Sequence, residues 1–320
     1  MASVNDLTDF YYNELYPELK ILEAERKRVK SKVTLVLGSI GIATVSIAAV
    51  IGKNTGFNDT LFFILFAGFG IGGFVYKFMI KDYTAEFKQK IIRPLIRAID
   101  TDLRYAPLHH VSESLFSHAK LFTQRIDRFG GNDHVKGTMD GINLQFSDLH
   151  AEHKSTDSKG RTSWHTVFQG LFIVADFNKH FLGHTVVLPD SAESTFGSFI
   201  GNWMQSNNYS RNDLVKMDDP LFEKEFVVYG SDQIESRYIL THTMMKRLIE
   251  LRRRAGAKLY VAFSGTHIYI AIDYNDDLFE PKLFSSLLEY KAAMAYIQTL
   301  HLATGIIKEL KLNEKLWSKH

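Results

Sequence analysis

Two uncharged apolar runs constrain this chain more than any other feature. Twenty residues from Val33 to Gly52 carry no charge, and as an α-helix they would span about 30 Å, the thickness of a bilayer hydrocarbon core. A short polar turn, Lys53 to Asp59, leads into a second uncharged run from Thr60 to Tyr76, which Phe78, Met79 and Ile80 extend. The pattern predicts a transmembrane hairpin over 33–80, with spans at 33–52 and 60–80.

A cleaved signal peptide is the alternative interpretation of the first run. Mostly polar residues precede it, and no small-residue cleavage site ends it. The run is therefore predicted to be an uncleaved anchor.

Lysine and arginine lie almost entirely on one side of the predicted hairpin, and only Lys53 lies in its turn. The flanking basic residues are Lys20, Arg26, Lys27, Arg28, Lys30 and Lys32 before it, and Lys77, Lys81, Lys88, Lys90, Arg93 and Arg97 at its end or after it. The positive-inside rule predicts a multi-pass protein of the inner (plasma) membrane with both termini in the cytoplasm. Its first partner is therefore the lipid bilayer.

The sequence contains no cysteine, which agrees with a reducing compartment. It also excludes disulfides, thiol nucleophiles, iron–sulfur clusters and cysteine-based zinc sites.

Both predicted spans contain small residues. Gly68 and Gly72 form a GxxxG spacing, and Gly38 and Gly41 lie in the first span. Small residues allow close helix approach in lipid. Two interpretations stay open: packing of the hairpin on itself, or contact with a second copy.

The remaining sequence divides into three predicted regions. An amphipathic helix lies within 1–32 and a stalk helix, kinked at Pro94, within 81–104. From about 105 to 320, short alternating segments separated by Gly, Asn, Asp and Ser predict a cytoplasmic α+β domain with a mostly antiparallel sheet, because repeated βαβ units are missing.

The predicted elements of that domain are six strands and three helices. The strands are Gly141–Leu149, His165–Phe177, Thr185–Leu188, Glu225–Tyr229 and a hairpin of Lys258–Phe263 with His267–Tyr274, turned at Ser264-Gly265. The helices are Ser191–Met204, opened by Asp190 and Glu193, then Gln233–Arg254 and Leu283–Leu312.

Candidate chemistry is sparse, and each candidate has a structural interpretation. His150, Glu152 and His153 are residue types that bind metal ions. They lie at the end of a predicted strand, however, and the sequence pattern indicates no further ligand. Asp232, Glu235 and Arg237 could act as an acid–base group. The stronger interpretation is that Asp232 is an N-cap, with Glu235 at the third helical position satisfying free amides.

The basic run of Lys246, Arg247 and Arg252 to Arg254 precedes Gly256, as expected at a helix C-terminus. Contact with anionic lipid is the alternative. No nucleic-acid partner is expected, because no aromatic residues suited to base stacking accompany the run. Ser264 lacks the GxSxG context of a nucleophile elbow.

The segment PLFEKEFVVYGSDQIESRYILTHTMMKRLIEL (220–251), together with VFQGLFIVADFNKHFLGHTVVLPD (167–190), resembles the bacterial membrane family catalogued as domain of unknown function 3137 (DUF3137). The resemblance extends from the hairpin to the final strands. It implies a two-helix anchor with a cytoplasmic α+β domain, often encoded beside LemA-type membrane proteins, and it implies no catalytic residues. The matching positions are Phe168, Gly170, Phe172, Phe177, Phe181, Gly183, Phe222, Glu223, Phe226, Tyr229, Asp232, Gln233, Glu235, Arg237 and Tyr238.

The sequence thus predicts no catalytic, cofactor-binding or metal-binding residue. The leading hypothesis is a non-enzymatic inner-membrane anchor or scaffold that binds a protein partner, either a second copy or a LemA-like membrane protein. A membrane-anchored hydrolase using Asp232, Glu235 and Arg237 is one alternative, and an anionic-lipid sensor is another.

Overall fold

The computed structural model describes residues 3–55, 59–190, 213–310 and 312. The chain divides into two compact units. The helical unit comprises Val4–Leu95 and Phe279–Ile297, and the sheet unit comprises Met1–Ser3, Ile96–Leu278 and Gln298–His320.

The helical unit contains α1 (Val4–Asn13), α2 (Tyr16–Thr55) and α3 (Asp59–Phe87). The stretches Tyr16–Lys53 and Asp59–Ile99 are long and apolar enough to cross a membrane. In the most apolar part of each stretch almost no residue is buried inside the protein: Ile42 is 71% exposed and Phe69 is 83% exposed. A core helix of a soluble protein would bury such residues, so the two helices indicate membrane association.

The predicted helix within 1–32 is interrupted at Glu14 and Leu15, and α2 then runs without a break from Tyr16 into the first span. Pro17 is at the second position of α2, where its missing N–H costs no intrahelical hydrogen bond. Two helical segments, α1 and the first part of α2, therefore precede the first span.

The two spans pack closely at Gly68. A Cβ atom there would lie 2.5 Å from the side chain of Thr44 on α2, so only glycine permits this approach. This contact favours packing of the hairpin on itself for the Gly68 position.

A wide helical turn precedes Pro94. α3 passes into a π-helical turn, Lys88–Ile92, in which the N–H of Arg93 donates to the carbonyl of Lys88, and α4 (Arg93–Ile99) follows. Proline has no N–H to donate to the preceding turn, so the helix widens one turn before it.

An ion pair on α2 holds the backbone of residues 283–287. The Arg26 guanidinium contacts the Glu23 carboxylate at 2.7 Å and donates to the carbonyl of Leu283 at 2.6 Å. The N–H of Leu287 donates to Glu23 at 3.1 Å. These bonds keep the segment out of a helix, so the last helix, α9 (Tyr290–Glu309), begins later than the predicted Leu283.

The described part of the sheet unit contains seven strands, all paired antiparallel. Their order is β1–β2–β3–β4–β6–β5, with β7 also paired to β4. The strands are β1 (Arg104–Ala106), β2 (Arg128–Met139), β3 (Ile142–Thr156), β4 (Thr162–Pro189), β5 (Asp213–Leu214), β6 (Phe226–Gly230) and β7 (Lys258–Asp273). The predicted α+β class with an antiparallel sheet is confirmed.

The described helices of this unit are α5 (Glu113–His118), α6 (Pro220–Glu223), α7 (Gln233–Ile239) and α8 (His242–Ala255). The single helix predicted over Gln233–Arg254 is wrong, because Thr241 starts a new helix by accepting a hydrogen bond from the N–H of Met244 at 3.3 Å. The helix predicted at Ser191–Met204, with Glu193, lies outside the described residues.

The strand predictions differ from the structure at two places. His165–Phe177 and Thr185–Leu188 belong to one strand, β4. The hairpin at Ser264-Gly265 is wrong, because Lys258–Asp273 is one strand that pairs along β4, with Gly265 at a left-handed φ of 58°. β1 and β2 were not predicted.

The two-stranded ribbon of β4 and β7 folds over on itself. Gly170 of β4 lies opposite Asp273 of β7, so a straight ribbon would place Phe168 about 50 Å from Tyr260. The ring of Phe122 nevertheless lies 5.2 Å from the ring of Phe168 and 5.1 Å from that of Tyr260. The register shifts between Asp176 and His184. We call residues 176–184 of β4 and 264–267 of β7 the ribbon bend.

Candidate functional site

The ribbon bend is held by one carboxylate. Its register shifts interrupt the ladder between β4 and β7. The N–H of Leu182 donates to Glu235 Oε1 at 3.0 Å, and the N–H of Gly183 donates to Glu235 Oε2 at 2.7 Å. Each carboxylate oxygen therefore satisfies one backbone amide in the bend, and hydrogen bonds to an ionised acceptor are the stronger kind.

Helix α7 positions Glu235. The Asp232 carboxylate accepts from the N–H groups of Ile234 at 2.8 Å and Glu235 at 3.0 Å, which confirms Asp232 as the predicted N-cap. The role predicted for Glu235 is wrong: its carboxylate bonds to amides of β4 and not to those of its own helix start.

Two serines beside Glu235 complete the attachment of α7 to β4. Ser231 exchanges bonds with His184: the N–H of His184 donates to Ser231 Oγ at 2.8 Å, and the N–H of Ser231 donates to the carbonyl of His184 at 3.0 Å. The hydroxyls of Ser236 and Thr185 lie 2.8 Å apart. We call Ser231, Asp232, Glu235 and Ser236 the clamp.

Glycines leave room for the clamp. A Cβ on Gly183 would lie 2.8 Å from Glu235 Oε2, and one on Gly230 would lie 2.1 Å from Ser236 Oγ. The glycine and serine residues between Tyr229 and Tyr238 therefore allow α7 to approach the ribbon bend closely.

The clamp geometry does not resemble an acid–base site. The carboxylates of Asp232 and Glu235 accept from backbone amides, and Arg237 is exposed on α7. A general acid or base must reach a proton of the substrate. The arrangement therefore favours a structural role for Asp232 and Glu235 over hydrolysis.

The ribbon bend and α7 expose apolar side chains to solvent next to the clamp. Leu182 is 92% exposed, Ile234 is 83% exposed and Tyr238 is 53% exposed. The Lys179 ammonium lies 3.8 Å from the centre of the Tyr238 ring, and partial burial lowers the pKa of Lys179 while Glu235 opposes that shift. We call Leu182, Ile234 and Tyr238 the bend patch.

The ribbon bend ends in a buried histidine. His184 is 4% exposed, and neither ring nitrogen has a hydrogen-bond partner within the described residues. Burial, with smaller contributions from Lys120 and His118, lowers the pKa of His184 to about 4. The sequence does not distinguish His184 from the other scattered histidines, because its burial depends on the fold.

The other sequence candidates have local partners. Glu152 pairs with Arg128 at 2.9 Å, and His153 lies 3.0 Å from Asp127. Across the described ranges, no group of three or more His, Asp or Glu residues could hold a metal ion. His150, Glu152 and His153 are thus not brought together as ligands.

The basic end of α8 is partly engaged inside the sheet unit. Arg252 pairs with Glu225 at 2.6 Å, and Arg247 donates to the carbonyl of Leu310 at 3.3 Å. Gly256 ends the helix in a left-handed conformation. These contacts favour the helix-end interpretation for Arg247 and Arg252 over lipid contact.

Residues 166–312 match the family model described as "Protein of unknown function (DUF3137)". The match confirms the resemblance to this family, over a range that contains the clamp but not the hairpin. No curated protein matches the chain.

One similar solved structure is the crystal structure of the mycobacterial trehalose monomycolate transport factor A, TtfA. The similarity covers 65% of this chain and 88% of that chain, with 10% identity and a TM-score of 0.32. A similarity at that level supports no inference about this chain.

Proposed function

We propose that this chain, which carries a DUF3137 region, is an inner-membrane protein whose cytoplasmic sheet unit binds a protein partner through the bend patch. The hairpin within 33–80 anchors it, and both termini lie in the cytoplasm. The partner is a second copy of the chain or a LemA-like membrane protein.

The bend patch is the observation that carries this proposal. Leu182 and Ile234 are among the most exposed large apolar side chains of the chain outside the two spans. The Glu235 carboxylate ties the backbone of Leu182 to α7, which also carries Ile234. Exposed apolar residues grouped on a rigid support are typical of protein interfaces.

The experiment is affinity purification of the tagged full chain in mild detergent after chemical cross-linking in cells. We expect the wild type to recover a partner, either a second copy or another membrane protein. Leu182→Asp and Ile234→Asp should each reduce that recovery at least tenfold, because a charge in a desolvated interface is costly.

Leu108→Asp is the matched control, because Leu108 is 87% exposed in the same unit but outside the bend. It should leave recovery unchanged. A wild type that is recovered only as a monomer, or bend-patch variants that recover the partner as well as the wild type, would overturn the proposal.

A further inference from the structure

A cavity of about 530 Å³ opens in the sheet unit, away from the bend. It is lined by three segments, 166–168, 256–258 and 273–275. They belong to the first part of β4, the junction of α8 with β7, and the end of β7. The fold of the ribbon therefore brings both ends of β7 to one opening, which we call the mouth pocket. Concave sites that combine apolar and aromatic side chains with a few polar groups are common ligand sites.

The mouth pocket contains a carboxylate without an ion-pair partner. Asp273 is half-buried, and burial raises the pKa of its carboxyl group, while Lys258 and the backbone N–H of Asn275 oppose that shift. Within the described residues, Asp273 forms no ion pair with Lys258 or with another cation. A partly desolvated carboxylate gains most from a cationic ligand.

The backbone adds partial negative charge at the same opening. Helix α8 ends beside the pocket, and the N–H of Gly256 donates to the carbonyl of Arg252. The carbonyl groups that follow Arg252 in the last turn accept no hydrogen bond from within the helix. The C-terminal end of a helix therefore carries partial negative charge and favours cations.

Two aromatic residues also line the pocket. Phe168, which is 1% exposed, lies in the inner wall. Tyr274 also lines the pocket, and burial raises the pKa of its hydroxyl to about 12, so this group stays neutral at physiological pH. Aromatic faces attract ammonium groups.

We propose that the mouth pocket binds a small primary alkylammonium ion, with the Asp273 carboxylate as its counter-charge. The alkyl chain contacts the aromatic wall, and the ammonium group lies between Asp273 and the end of α8. Lys258 at the rim and the arginines Arg252–Arg254 in the last turn of α8 carry like charges, and they limit the affinity.

The test is a saturation-transfer NMR titration of the full chain in detergent micelles with n-butylammonium at pH 7. Butyrate and 1-butanol, which have the same chain length, are the comparison ligands. We expect saturable binding of n-butylammonium alone. Asp273→Asn should weaken it at least tenfold, and Lys258→Gln should strengthen it severalfold, because the competing positive charge is removed.

Asp140→Asn, at an exposed turn outside the pocket, is the control and should leave binding unchanged. Lys258 is exposed, so Lys258→Gln tests the sign of the electrostatics even if Asp273→Asn fails to fold. Equal binding of butyrate or 1-butanol, an unchanged affinity in Asp273→Asn, weaker binding in Lys258→Gln, or no saturable binding would each overturn the proposal.

Discussion

At the scale of single residues, Glu235 shows how one side chain can replace a missing strand partner. The bend in β4 turns two amides away from β7, and the Glu235 carboxylate accepts from both. Unsatisfied amides are costly when they are removed from water. Glu235 therefore stabilises an irregular stretch of β4.

Glu235→Gln should destabilise the sheet unit by about 2 kcal/mol, because the neutral amide offers only one acceptor oxygen to two donors. The measurement is denaturant unfolding of the full chain in detergent. Glu250→Gln, at an exposed position of α8, is the control and should change little. Equal stability of the two variants would contradict the role assigned to the clamp.

His184 predicts a dependence of stability on pH. Its pKa of about 4 in the folded chain lies below the usual histidine pKa of about 6.5, so the unfolded chain binds a proton more readily. Stability is therefore lost as the pH falls from about 6.5 towards 4. This group should account for about 2 kcal/mol of the stability lost between pH 7 and pH 5.

His184→Leu removes that contribution, so its unfolding free energy should fall less than that of the wild type between these pH values. His109→Gln, at an exposed position, should behave like the wild type. Parallel pH profiles for His184→Leu and the wild type would show that the buried imidazole does not titrate in this way.

At the scale of elements, several boundaries depend on contacts that are distant in sequence. Helix α7 has seven residues, too few to be stable alone in water, and it exists because the clamp attaches it to β4. Residues 283–287 could continue a helix, but Glu23 and Arg26 bind their backbone groups instead.

Arg26→Met should destabilise the helical unit by about 3–5 kcal/mol, because it leaves the Glu23 carboxylate buried without its partner. Glu23 and Arg26 are each 5% exposed. The measurement is thermal unfolding of the detergent-solubilised chain. Arg28→Met, on the same helix, is the matched control, and a similar loss in both variants would contradict a specific role for the buried pair.

At the scale of the whole molecule, the proposed topology can be tested directly because the sequence has no cysteine. Lys53→Cys lies at the turn end of α2, and Ser158→Cys lies in the exposed loop between β3 and β4. A membrane-impermeant maleimide should label Lys53→Cys in right-side-out spheroplasts. It should label Ser158→Cys only after permeabilisation.

The parent chain without cysteine is the control for background labelling. Labelling of Ser158→Cys in intact spheroplasts, with protection of Lys53→Cys, would reverse the proposed orientation.

Features that depend on local composition are readable from the sequence alone. Two uncharged runs predicted two long apolar helices, because partition into lipid is close to additive along a helix. Short alternating segments predicted the antiparallel α+β class, and Asp232 was recognisable as an N-cap, because a cap bonds to its own neighbours.

Contacts between residues that are distant in sequence depend on the tertiary fold. The Glu235 carboxylate binds amides of Leu182 and Gly183, more than 50 residues earlier, and the folded ribbon places Tyr260 near Phe168 and creates the mouth pocket. A hairpin at Gly265 and a strand bent there have similar local sequences. In the hairpin the two halves of residues 258–273 would pair with each other, whereas in the structure both halves pair with β4. Strand pairing is a long-range interaction, so local periodicity does not distinguish the two arrangements.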